Sequence, residues 1–187
     1  MNSRQRVLTA INHQEPDRVP IDLGGSIVTG IMAGALVRLR EHLGLSAVPV
    51  RVYDQFQMLG EVTMDLVEHL HLDILPVEPE SISFNLRNRD FKPWTLFDGT
   101  QVLVPGDFDV TVTNSGDWLM HNAGKLDNPV VARMPKDGFY FDRMDVSGWN
   151  LDYKPPGVAQ LRQEGWRRLT DEQLRHFQET ARILREA

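Results

Sequence analysis

The sequence contains no cysteine, and this absence excludes several kinds of site. A chain of 187 residues without cysteine has no disulfide, no thiolate nucleophile and no cysteine ligand for zinc or an iron–sulfur cluster. Long apolar runs are absent too, since the opening residues are polar and no stretch reaches membrane-spanning length. Together these absences predict a cytoplasmic protein that does not bind a membrane.

A strong positive charge is also missing. The chain has 20 lysines and arginines against 26 aspartates and glutamates, which gives a net charge of -6, and no basic run stands out. This balance argues against a nucleic-acid-binding surface. The hydrophobic fraction of 41% and the charged fraction of 25% are ordinary for a folded domain, so the chain is expected to form a core.

Up to residue 77, helical and extended patterns alternate. The spacing of apolar residues predicts a helix capped by Ser3, a second over 31–43 and a third that begins at Asp54 and ends near residue 70. Short apolar runs at 19–23 and 73–77 predict buried strands. Alternation of this kind is typical of βα units and a parallel sheet.

The pattern changes near residue 80. Residues 93–144 carry short β-rich runs separated by turn signals such as Asp98-Gly99, which predicts an antiparallel β-meander. After a stretch without a strong period, Thr170 and Gln173 form a capping-box pattern that opens a last helix. The sequence therefore predicts three parts: 1–80 with the first βα units, 81–145 with the meander, and 146–187 with an irregular linker and a helix.

Two short motifs suggest chemistry but have simpler readings. His69, His71 and Asp73 would share one face of a strand as metal ligands, but the apolar helical stripe places His69 on a helix and His71 in the following turn. No metal site is therefore predicted. The run Gly24-Gly25-Ser26 lacks the spacing of a phosphate-binding loop, so it is interpreted as a strand-to-helix turn.

Four residues are the candidates for a substrate pocket, and no catalytic residue is identified. Asp22 and Asp73 lie near predicted strand ends, where ligands gather in parallel sheets, and Tyr53 and Asp54 lie between two predicted elements. A helix cap at Asp54 and packing at Tyr53 remain alternatives. The carboxylates of Glu78 and Glu80 could serve acid–base chemistry, but solvated loop charges are the preferred interpretation.

Two stretches resemble a known family. Residues 3–20, with the sequence SRQRVLTAINHQEPDRVP, and residues 51–61, with the sequence RVYDQFQMLGE, are similar to the uroporphyrinogen-decarboxylase-like family, in its corrinoid-dependent methyltransferase branch. Residues 92–96, 98–100 and 138–142 fit a third region of that branch. The resemblance implies a (β/α)8 barrel of ~250 residues in complete members. The expected fold is therefore α/β, with the first βα units of an incomplete TIM-type barrel and an antiparallel β-meander insertion.

The resemblance also implies a reaction, namely methyl transfer between a small methylated substrate and a corrinoid protein. Members of the branch hold zinc through a His-x-Cys motif and a later cysteine, and zinc acts there as a Lewis acid. Because this sequence has no cysteine, no cofactor is expected on this chain alone, and a complete active site is not expected in it. The rest of the barrel would come from the same gene or from a partner chain.

Two alternatives stay open. The chain could be a non-catalytic or split-enzyme module that needs a partner or associates with itself, because an incomplete barrel exposes strand edges and apolar faces. Porphyrin decarboxylation is the second alternative. Two departures from the decarboxylase pattern count against it: Gly24-Gly25-Ser26 stands where an arginine-containing run is expected, and residues 77–81 replace a Phe-Ser-Asp motif.

Overall fold

The structure is a computed structural model of the chain, and it describes residues 1–144, 157–159 and 169–186. Its helices are α1 (Ser3–Ile11), α2 (Ala33–His42), α3 (Met64–Leu70) and α4 (Asp171–Glu186). Its strands are β1 (Val52–Asp54), β2 (Leu59–Gly60), β3 (Lys92–Thr95), β4 (Gln101–Val104), β5 (Val110–Val112), β6 (Trp118–His121), β7 (Val130–Met134) and β8 (Asp142–Arg143). No helix in these ranges is long and apolar enough to cross a membrane.

The strands form small antiparallel sheets. One hairpin joins β1 to β2, a second joins β3 to β4, and a sheet of four strands follows in the order β5-β6-β7-β8. In the β3–β4 hairpin Lys92 lies opposite Val104 and Thr95 opposite Gln101, around the Asp98-Gly99 turn. The first two hairpins meet at Arg51 and Leu103, where the Leu103 N–H donates to the carbonyl of Val50 at 2.8 Å.

This architecture corrects the expected fold class, because βα units of a TIM-type barrel are not found in the described residues. The runs at 19–23 and 73–77 are not strands, and one backbone hydrogen bond joins them, from Asp73 N–H to the Ile21 carbonyl at 2.8 Å. Pro20 and Pro76 remove an N–H donor from each run, which weakens any ladder there. Antiparallel pairing occurs instead, and the strands after residue 90 divide between two separate sheets.

The helix expected to begin at Asp54 is also wrong. Asp54 ends β1, and its carboxylate accepts hydrogen bonds from the Phe56 and Gln57 N–H groups at 3.2 and 3.4 Å. These bonds close a turn that returns the chain into β2, with Met58 in the left-handed region at φ 54°. Helix α3 begins only at Met64, and His71 follows it with φ 53°, so the placement of His71 in a turn is confirmed.

Helix ends follow local hydrogen bonding. Asn2, not Ser3, caps α1, because its side chain accepts from the Gln5 N–H at 2.8 Å while the Gln5 side chain accepts from the Asn2 N–H at 3.1 Å. The capping box of α4 is confirmed: the Thr170 N–H donates to Gln173 Oε1 at 2.9 Å, and the Gln173 N–H donates to Thr170 Oγ1 at 3.2 Å.

The core joins the amino-terminal elements to the four-stranded sheet. Its centre contains a series of contacting aromatic rings. Trp94 contacts both Phe108 and Trp118 edge-on, Phe108 contacts Phe141, and Phe141 contacts Phe84. Edge-to-face pairs of this kind add to the stabilisation from burial. The buried members of the cluster are Ala33, Leu36, Val50, Val52, Met58, Leu66, Leu86, Val102, Val104, Phe108, Val110, Trp118, Met120, Ala132, Met134 and Phe141.

Candidate functional site

A cavity of about 690 Å³ lies between the β1–β2 hairpin, the start of α3, the segments 75–80 and 87–91, and α4. Its volume lies within the range of pockets that bind small molecules. Apolar groups such as Val62, Leu75 and Leu184 cover part of the wall. The polar and ionisable groups that line it are Arg51, Tyr53, Glu61, Thr63, Glu78, Glu80, Arg87, Asn88, Arg89, His176 and Thr180.

Tyr53 contributes a buried hydroxyl group to this cavity. It stands on β1 with 8% of its surface exposed, and its hydroxyl donates to the Ser26 carbonyl at 3.3 Å. Burial raises the pKa of Tyr53 well above its ordinary value, and the negative charges of Glu78, Asp54 and Asp22 raise it further. The tyrosine therefore remains protonated at neutral pH, and it acts as a hydrogen-bond donor in a region of negative electrostatic potential.

Asp54 follows Tyr53 on β1, and its side chain is buried and hydrogen-bonded within the protein. Its side chain is 1% exposed, and it accepts hydrogen bonds from the Ser83 hydroxyl, the Phe56 and Gln57 N–H groups and Gln57 Nε2. Asp54 is not among the residues that line the cavity. It fixes the turn after β1 and acts on the cavity through its charge.

Asp22 closes a tight turn beside the same tyrosine. Its carboxylate accepts from the Gly25 N–H at 2.8 Å. A Cβ on Gly25 would crowd the side chains of Asp22 and Ile74, which would have to shift. Gly24, which lines the cavity, has φ +80°, and a Cβ there would lie 2.7 Å from Val62. The Gly24-Gly25-Ser26 run is thus a turn, and it brings Asp22 towards Tyr53.

Asp73, the fourth predicted pocket residue, is not in the cavity lining. Its side chain is 0% exposed and accepts from Arg6 at 2.5 Å, from Arg18 at 2.7 Å and from the Ile21 N–H at 2.9 Å. Burial by itself would raise the pKa of Asp73, but the Ile21 N–H and the two guanidinium groups lower it to about 2. Asp73 therefore ties α1 and the segment after it to the chain beyond α3.

Glu78 is a cavity residue that sequence reasoning set aside. It is half-buried and lines the wall, and burial together with the negative charge of Asp54 raises its pKa. Its backbone carbonyl accepts a hydrogen bond from His176 Nε2 of α4 at 2.8 Å. The only sequence signal was its position, directly after an apolar run that ends with Pro76 and Val77.

Three arginines also line the cavity. Arg51 lies two residues before the candidate Tyr53, in a polar cluster for which a substrate role is possible, whereas Arg87 and Arg89 are not predicted from the sequence. Arg51 lies over the ring of Phe91 with 5.2 Å between the guanidinium carbon and the ring centroid, and it pairs with Glu61 at 3.7 Å. Arg87 and Arg89 flank Asn88 on an exposed turn. Their alternation around one asparagine is visible in the sequence, but nothing there indicates which cavity the turn borders.

No group of three or more histidine, aspartate or glutamate side chains lies together as a metal site within residues 1–144, 157–159 and 169–186. The cysteine ligands of the zinc site that the resemblance implies are absent from the sequence. The residues of this chain therefore do not fit that zinc site.

No protein-family model, no curated protein and no solved structure matches the chain. Of the four predicted pocket residues, Tyr53 lines the cavity, and Asp22 and Asp54 act on Tyr53 through their charges from outside the lining.

Proposed function

We propose that this chain provides the substrate-binding part of a uroporphyrinogen-decarboxylase-like methyltransferase, in which a small methylated substrate gives its methyl group to a corrinoid protein. The observation that carries the proposal is Tyr53, which lines a cavity of about 690 Å³ and is surrounded by the charges of Glu78, Asp54 and Asp22. Residues 51–61, which resemble the family, form the β1–β2 hairpin that contributes this wall. The stretch that resembles the family therefore forms part of the cavity wall.

The protonated groups of the cavity suit the departure of a methyl group. When a methyl group leaves without its bonding electron pair, the atom it leaves keeps that pair and becomes more basic. Tyr53 holds its proton at neutral pH, and Glu78 holds one more readily than an exposed glutamate does. The Tyr53 hydroxyl can donate a hydrogen bond to the departing atom in place of the one it donates to the Ser26 carbonyl. A corrinoid, when bound, supplies the nucleophile that accepts the methyl group, and no step is assigned to zinc.

Methyl transfer to free cob(I)alamin tests this proposal directly. The full chain is incubated under reducing conditions with cob(I)alamin and, separately, with methanol, methylamines and methyl ethers, and the absorbance change to methylcobalamin is followed. Because free cob(I)alamin supplies the nucleophile that a corrinoid partner would bring, we expect the substrate-binding part alone to make at least one donor react faster than it does without the chain. Tyr53→Phe should lose most of that acceleration, whereas the exposed Tyr140→Phe should keep it. No acceleration with any donor contradicts the proposal.

A second candidate is a non-catalytic or split-enzyme module that works only with another chain. The observation in its favour is the exposure of apolar side chains on α1 and the segment after it, where Ile11 is 64% exposed and Val28 is 88% exposed. Apolar side chains that join into a contiguous exposed patch mark association sites. Light scattering over a concentration series tests it: we expect dimers of the chain that Val28→Ser and Ile11→Ser dissociate. A monomer at every concentration contradicts self-association.

A further inference from the structure

Charged groups of both signs act on the cavity, and they form two sets. The first, the carboxylate wall, consists of Tyr53 and the three carboxylates whose charge acts on it, Asp22, Asp54 and Glu78, of which Glu78 itself lines the cavity. The second, the arginine rim, consists of Arg51, Arg87 and Arg89, which all line the cavity. A ligand with a single charge would satisfy one region and leave the other without a counter-charge, at a cost in affinity.

The arginine rim is held in place by Asn88. The Asn88 N–H donates to the Glu80 carbonyl at 2.8 Å, its Nδ2 donates to the Tyr53 carbonyl at 2.8 Å, and its Oδ1 accepts from Gln55 Nε2 at 2.8 Å. Because these three bonds hold Asn88, the backbone that carries the two neighbouring arginines is also held in place at the edge of the cavity. Fixing the backbone lowers the entropy that the arginines lose when they bind a ligand.

The rim has cationic capacity left for a ligand. Among the described residues, Arg87 forms no ion pair, while the Arg89–Asp90 pair at 3.5 Å joins two exposed side chains and is weak. Arg51 is shared between Glu61 and the ring of Phe91. Glu80 also lines the cavity, but its side chain is exposed to solvent. A carboxylate on the ligand can therefore accept hydrogen bonds from Arg87 and Arg89.

The carboxylate wall suits a methylated ammonium group. Such a cation is bulky and weakly hydrated, and it binds best to an aromatic ring near negative charge. Tyr53 supplies the ring, and Glu78 supplies a carboxylate that itself lines the cavity. Asp54 and Asp22 do not line the cavity, but their charges act on Tyr53, and their own hydrogen bonds hold them in place.

We propose that the cavity binds a zwitterion, an N-methylated amino acid or betaine, with the methylated ammonium group at the carboxylate wall and the carboxylate at the arginine rim. This inference rests on the proposed function, since it names the class of methyl donor for the same cavity. It adds the requirement that one molecule carries both charges.

Three probes with a trimethylated head group test the requirement by isothermal titration calorimetry with the full chain. N,N,N-trimethylglycine carries both charges, tetramethylammonium lacks the carboxylate, and 3,3-dimethylbutanoate replaces the charged nitrogen by carbon. We expect trimethylglycine to bind at least about tenfold more tightly than either of the other two, because a charge-assisted contact is lost in each case. Equal affinities, or no binding of any probe, overturn the proposal.

Paired variants assign each charge to its region. Arg87→Gln with Arg89→Gln should weaken trimethylglycine binding and leave tetramethylammonium binding unchanged. Glu78→Gln should reduce the preference for trimethylglycine over 3,3-dimethylbutanoate. The matched controls lie on exposed positions outside the cavity lining: Arg4→Gln with Arg143→Gln, and Glu68→Gln. Thermal melting of every variant checks the fold, and an equal loss of affinity in the controls would contradict the assignment.

The binding data and the methyl-transfer assay can fail separately. If methylcobalamin forms from another donor but trimethylglycine does not bind, the zwitterion inference is wrong and the methyltransferase proposal stands. If trimethylglycine binds with the expected preference but no donor yields methylcobalamin, the zwitterion site stands and the methyltransferase proposal is wrong.

Discussion

Asn88 donates a hydrogen bond from its side chain to the backbone carbonyl of Tyr53 at 2.8 Å, and this contact joins the two charged regions of the cavity. Tyr53 belongs to the carboxylate wall, and Asn88 lies between Arg87 and Arg89 of the arginine rim. One side chain therefore sets the position of the rim relative to the wall. The relation makes Asn88 a positioning residue rather than a contact for the ligand's charges.

Asn88→Ala should weaken the binding of trimethylglycine by about tenfold, because the loss of both side-chain hydrogen bonds frees the turn that carries the arginines. Calorimetry measures the affinity, and the binding of tetramethylammonium, which does not need the rim, should change little. Asn114→Ala, at an exposed turn between β5 and β6, is the control. Unchanged trimethylglycine affinity in Asn88→Ala would remove the positioning role.

Asp73→Asn should destabilise the fold by about 3 kcal/mol, since it breaks a buried ion-pair cluster and leaves Arg6 and Arg18 without their shared partner. Urea unfolding followed by circular dichroism measures the free energy of unfolding. Asp127→Asn is an exposed control that should stay within about 0.5 kcal/mol of the parent. A comparable loss in both variants would mean that the cluster does not stabilise the fold.

The same cluster predicts how stability depends on acid. The pKa of Asp73 is lowered from 3.8 to about 2 in the folded chain, so its ionised form is favoured by folding. The stabilisation is therefore complete above pH 3.8 and is lost as the pH falls through about 2. We expect the difference in unfolding free energy between the parent and Asp73→Asn to shrink over that interval. A difference that stays constant down to pH 2 would contradict this linkage.

Gly24→Ala should destabilise more than Gly44→Ala, although both glycines have positive φ. The backbone strain is similar, with φ +80° at Gly24 and +66° at Gly44, and costs about 1 kcal/mol in each. Only at Gly24 does the new methyl group meet a neighbour, Val62, at 2.7 Å, whereas Gly44 has nothing within 4 Å. Denaturant unfolding of both variants isolates the contact. Equal destabilisation would show that the Asp22 turn can move away from Val62.

The sequence indicates part of the site because some of its contacts are local. Asp22 reaches the Gly25 N–H three residues later, and Tyr53 and Asp54 are adjacent on β1, so these candidates could be named from their neighbours. The helix expected at Asp54 failed because the chain there pairs with itself. Gly60 lies opposite Val52, and its missing Cβ allows the close approach of α2 at Ala33. Tertiary packing of this kind overrides local helical periodicity.

Other parts of the site depend on contacts between distant segments. Glu78 looks like a solvated loop residue because the helix beside it, α4, carries His176, which lies 98 positions further along the chain. Arg87 and Arg89 line the cavity because Asn88 reaches back to Tyr53 across 35 positions. Neither contact has a periodic signal, and the runs at 19–23 and 73–77 show that apolar composition alone does not produce a strand.

Binding of a methylated ammonium ion should release protons from Glu78. Burial raises the pKa of this carboxyl, and the negative charge of Asp54 raises it further, so the free cavity retains a proton more readily than water-exposed glutamate does. A cation bound beside Glu78 favours the ionised form and lowers its pKa. Affinity for trimethylglycine should therefore increase as the pH rises through the titration of Glu78 and level off above it.

Calorimetry in two buffers with different ionisation enthalpies measures this proton release, since the observed heat changes in proportion to the protons that the buffer takes up. Glu78→Gln cannot release a proton, so its binding heat should be the same in both buffers, whereas Glu68→Gln should behave like the parent. If the parent's heat is also independent of the buffer at every pH, the cation does not bind next to Glu78, and the carboxylate wall is assigned to the wrong end of the cavity.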